Sequence, residues 1–146
     1  MTPPPITLPS VPRRWQRLIL IVGGLIVFLW LRLEDHGVVQ ALIMGLVVAL
    51  LATSLWLWPR LANRPLKVGW FAMLAALTGA TFGLITAASS AFLMLLKNGF
   101  HGHLNPDYPA GVMAETLARA PVWALAGALV GVAAALVALA TRPRQS

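Results

Sequence analysis

Four long apolar runs, separated by short polar stretches, set the pattern of this chain. The third is the plainest: Trp70 to Leu96 runs for 27 residues without a charged side chain. As a helix of about 1.5 Å per residue it spans roughly 40 Å, enough for a hydrocarbon core of about 30 Å with tilt. Its texture is that of a packing helix. Gly79, Gly83, Ala87 and Ser90 recur every three or four residues and share one face, and Thr78, Thr81, Thr86 and Ser89 place hydroxyls nearby. Small residues let helices approach closely in lipid, where hydrophobicity gives them no reason to associate. The rest of the chain is expected to be organised around this segment.

The other three runs read the same way. Leu18–Leu31 is strictly apolar, with Arg17 and Arg32 expected to snorkel to the two interfaces and Trp15 and Trp30 expected to lie there. The basic cluster before it resembles the start of a signal peptide, but no small-residue cleavage site follows, so an uncleaved first span is expected. Val38–Trp58 forms the second span, closed by Pro59, and Pro121–Thr141 the fourth. Gly127 and Gly131 on the fourth pair with Gly79 and Gly83 on the third as candidate close-packing positions. Spans are thus predicted near 17–33, 38–58, 69–97 and 121–141, within a single domain covering 13–146. The fold class is an all-α integral membrane protein: four transmembrane helices with a short interfacial helix before the fourth.

Two stretches fall outside the runs. Residues 1–12 hold five prolines and no charge, which excludes a helix and predicts a flexible tail. Residues 98–120 open as a Gly-containing loop; Asn105–Pro109 reads as a turn, with Asp107 as a helix N-cap. A short helix then follows to Ala120, presenting Val112, Met113, Thr116 and Leu117 on one face.

Composition agrees with the pattern. The chain has 146 residues, 59% hydrophobic and 10% charged, far below the quarter or so of a soluble domain. It has no cysteine, which excludes disulfides and thiolate chemistry. The net charge of +7 lies in short runs beside the apolar segments, so it is read as topology rather than as nucleic-acid binding. Arg13, Arg14, Arg17, Arg60, Arg64, Lys67, Arg142 and Arg144 fall on one side with no acid. Arg32, Lys97 and Arg119 fall on the other, with Glu34, Asp35, Asp107 and Glu115. The positive-inside rule then predicts both termini in the cytoplasm of a bacterial inner membrane.

Candidate chemistry collects on the acidic side. His101 and His103 would point the same way in extended chain, so both imidazoles could reach one divalent ion with Asp107 or Glu34 completing the set, or could approach a tetrapyrrole at the outer rim. Against this, solvated rim histidines need neither, and no cofactor is expected. No ionisable group is expected at depth in any span, and the span hydroxyls read as packing groups before they read as a solute path. No nucleophile–base spacing, zinc-protease motif or phosphate loop occurs, so no enzyme is expected. The function classes left are a non-catalytic accessory subunit of a larger membrane complex, a small homo-oligomeric transporter or channel, and a His-rich rim that binds a metal or tetrapyrrole. The partners expected are the bilayer and other subunits or further copies of this chain.

Overall fold

The computed structural model describes residues 6–33, 37–102 and 105–141. It is all-helical, and four helices are long and apolar enough to cross a membrane. The first is α1, Arg13–Arg32. The second runs Val38–Leu61 as α2 (Val38–Ala52), a π-helical turn at Thr53–Leu57, and α3 (Trp58–Leu61). The third is α4, Val68–His101, at 34 residues. The short α5 (Ala110–Ala118) leads into the fourth, α6 (Ala120–Ala140).

Helix α4 touches α1, α2, α5 and α6 and is the axis of the bundle. Its seam with α6 is backbone on backbone. A Cβ placed on Gly79 would lie 2.0 Å from the Gly127 carbonyl oxygen, and one on Gly83 would lie 2.1 Å from that of Trp123. The reverse holds for Gly127 against Gly79 and for Gly131 against Ala75, both at 2.1 Å. Only residues without side chains allow this approach, which brings Cα–H groups against carbonyls and maximises dispersion contact. On the α2 side Gly45 fills the same role, its missing Cβ 1.9 Å from Ser90 Oγ. Ser89 Oγ donates across that seam to the Gly45 carbonyl (3.0 Å) as well as within its own helix.

Several boundaries differ from the expectation. Pro59 does not close the second span. A proline ring strikes the carbonyl four residues back, and here the helix widens over Thr53–Leu57 and continues to Leu61. Helix α4 runs past Lys97 to His101 and stops at Gly102, whose φ of +59° is the left-handed conformation that ends helices. The cap of α5 is Pro109 with no side-chain hydrogen bond, so Asp107 is not an N-cap; its carboxylate is engaged with His101 instead.

The proline-rich stretch is docked over its described part. Ile6 N–H donates to the Leu66 carbonyl (2.9 Å) and receives the reverse bond from Leu66 N–H (2.8 Å). Asn63, in the left-handed region at φ 61°, donates its N–H to the Leu8 carbonyl (2.9 Å), and the Trp58 indole donates to Pro9 (3.0 Å). Prolines lack a donor but keep a carbonyl, so an extended proline-rich arm is a good acceptor strip. Residues 1–5 lie outside the described residues.

Candidate functional site

Chemistry-bearing side chains gather where α1 ends, α2 begins and α4 hands over to α5. The last turns of α4 put Leu93, Met94 and Lys97 on its inner face, all buried. Lys97 is fully enclosed, with its Nζ 4.4 Å from the centre of the Trp30 ring. A desolvated cation over an indole face is stabilised by the ring quadrupole, and the carbonyl end of α4 adds negative potential at the same place. Trp30 is itself 5% exposed, and its Nε1 finds no acceptor among the described residues. Trp30, two residues from the end of α1, is thus packed inside the protein against Lys97 rather than turned outward. Lys97, read as the charged boundary of the third span, lies on the packed face of α4, four residues before its end.

The loop after α4 folds back over this cluster. Tyr108 N–H donates to Asn98 Oδ1 (2.9 Å), and Asn98 Nδ2 donates to the Tyr108 carbonyl (2.8 Å). The Tyr108 ring is buried and its hydroxyl donates to the Gly37 carbonyl (3.1 Å), tying the α4–α5 loop to the first residue before α2. His101 Nδ1 pairs with the Asp107 carboxylate, both side chains largely buried. Val112 and Met113 of α5 close the cluster from the side, and Leu117 faces outward.

The histidine arrangement differs from the one expected. His101 is helical and Gly102 is left-handed, so the chain leaving His101 is not the extended strand that would align two imidazoles. His101 and Asp107 meet each other; His103 lies outside the described residues, as do His36, Glu34 and Asp35. Among the described residues no group of three His, Asp or Glu side chains gathers as a metal site would require.

At the opposite end the bundle is open. Helix α2 packs on α4 through Gly45, but those contacts fall away through the π turn and α3. The gap left between the second span and α6 is an apolar groove of about 730 Å³ floored by α4. Leu50 and Leu57 form one wall, Val130 and Ala134 the other, and Phe71 and Leu74 the floor. Leu8 of the docked arm, with Leu61 and Leu66, lines its mouth.

Comparison with protein-family models, with curated proteins and with solved structures returned no match.

The residues that sequence reasoning missed are Lys97, Trp30 and Tyr108. A signal for Lys97 was present. The stripe that begins Gly79, Gly83, Ala87, Ser90 continues at the same three- and four-residue steps to Met94 and Lys97. Extended by two places, the packing face carries a cation into the bundle. Nothing local marks Trp30 or Tyr108, because their burial depends on partners far along the chain.

Proposed function

We propose that this chain is a non-catalytic accessory subunit of a larger membrane assembly. The observation that supports this reading is how the span hydroxyls are used. Thr81 donates to Leu77 (2.9 Å), Thr86 to Phe82 (2.9 Å) and Ser90 to Thr86 (2.7 Å), each to a backbone carbonyl of its own helix. Hydroxyls turned back onto their own helix have little left for a solute, and Ser89, which also bonds the Gly45 carbonyl, ties α4 to α2. The buried polar side chains are likewise engaged in closing the fold: Asn98 and Tyr108 latch a loop, and His101 is paired with Asp107. Meanwhile large apolar side chains such as Ile21, Val122 and Leu129 face outward, available to lipid or to a neighbouring span.

The charge distribution favours both termini on the cytoplasmic face. The arm that pairs with residues 62–66 stands at the same end as Arg60, Arg64 and Lys67, whereas Asp107 and Glu115 stand at the other. Blue-native electrophoresis of gently solubilised membranes tests the assembly. Migration in a complex larger than the chain, with co-purifying bands, is the expected result; migration only as a bare monomer removes the proposal. Flux of solutes into liposomes holding the purified chain alone, lost on Thr81→Val and Ser90→Ala, would replace it with a transporter.

A further inference from the structure

The groove between the second span and α6 has a shape, a chemistry and a charged rim that together select an occupant. From Phe71 to Thr86 its floor follows sixteen residues of α4, about 22 Å from the first Cα to the last. Its lining is overwhelmingly apolar; the Thr53 and Thr86 hydroxyls are turned back onto the Ala49 and Phe82 carbonyls, and the Trp58 indole is engaged with Pro9. The occupant is therefore apolar along its length. An extended hydrocarbon chain laid along α4 meets this lining over its whole length.

The mouth adds the second selection. Leu61 and Leu66, which line it, flank a turn that carries exposed Arg60, Arg64 and Lys67. Among the described residues no acid faces these three, because Asp107 and Glu115 are engaged with His101 and Arg119 at the other end. Exposed Trp56 and Trp70 mark the same level as the headgroup layer. A second copy in the same membrane would bring its own Arg60–Lys67 turn to this level, like charge against like.

We infer that the groove is a lipid site: one acyl chain of an anionic phospholipid lies along α4, and its phosphate is held by the Arg60–Lys67 turn. Guanidinium and ammonium groups at the membrane surface recognise phosphate by charge-assisted hydrogen bonds and by the anionic surface potential. The site stands independently of any membership in a larger complex.

Native mass spectrometry of the full chain, released from micelles containing equal amounts of phosphatidylglycerol and phosphatidylcholine with identical acyl chains, tests this. The expected result is a retained lipid, with phosphatidylglycerol favoured by roughly tenfold or more. The R60Q/R64Q/K67Q variant should level the two headgroups. Ala126 and Ala134 line the groove from α6 and are exposed, so A126F/A134F fills the groove without entering the α4–α6 seam, and should abolish retention of both lipids. Leu129→Phe, on an exposed α6 position outside the groove, should leave retention intact. Equal retention of the two lipids by the unaltered chain overturns the proposal. So does retention that survives A126F/A134F, or a bound protein, a second copy included, that A126F/A134F releases.

Discussion

The two halves of α4 are equally free of charge until Lys97, yet they live in different surroundings. Every buried residue of the helix lies at Gly83 or beyond: Gly83, Thr86, Ala87, Ser90, Ala91, Leu93, Met94 and Lys97. None of the first fifteen residues, Val68–Phe82, is buried. The second half is enclosed by the end of α1, the start of α2, and α5 with its loop. The first half packs against α6 and otherwise floors the groove. In lipid an apolar side chain gains nothing merely by leaving its solvent, so hydropathy does not distinguish an enclosed face from one left open. What distinguishes them is whether a neighbour of the right shape arrives.

That contrast can be broken most severely at the seam that holds both halves to α6. Gly83→Leu drives a side chain into the Trp123 backbone, which cannot rotate away, and should cost about 3 kcal/mol or more, leaving little folded protein. Gly69, where a Cβ meets nothing within 4 Å, is the matched control, and Gly69→Leu should unfold in micelles at the temperature of the unaltered chain. The halves are then compared directly by truncating one leucine in each. Leu93→Ala, in the enclosed half, should lower stability by about 3 kcal/mol through the cavity it leaves. Leu74→Ala, on the floor of the open groove, should cost less than about 1 kcal/mol because lipid fills the space. Similar losses at both sites would mean that the groove is closed in the membrane.

The smallest test sharpens the role of the latch. Asn98→Ala removes both bonds to the Tyr108 backbone and should cost about 2 kcal/mol. Hydrogen exchange should rise at Tyr108 and across α5 while the α4–α6 seam stays protected. Uniform loss of protection would show that the loop is integral to the bundle rather than a cover on one end.

Much of the architecture was legible beforehand. Runs of apolar residues long enough to cross a bilayer must be satisfied internally as helices, so the four spans followed from length and hydropathy alone. The role of α4 as axis followed from its glycine and alanine face. At the histidine rim the backbone differs from the extended chain that an HxH spacing suggests: α4 continues through His101, because Gly102 and not Lys97 supplies the stop. Proline content in the tail rules out helix but leaves carbonyls ready to pair with whatever strip of N–H groups comes near. Here that strip is residues 63–66, some sixty positions along the chain.

By itself, then, the sequence determined the number of membrane-crossing helices, the faces on which backbones could meet, and the sorting of positive charge to one end. These depend on local composition and helical period, which the chain carries at every point. Tertiary structure alone decided that Trp30 and Lys97 stack inside, that Tyr108 closes one end by reaching Gly37, and that the second span leans away from α4 to leave a groove at the other. Each of these joins residues distant in the chain, and in a solvent that does not penalise apolar exposure only the fit between those distant surfaces can choose among the ways of packing the same four helices.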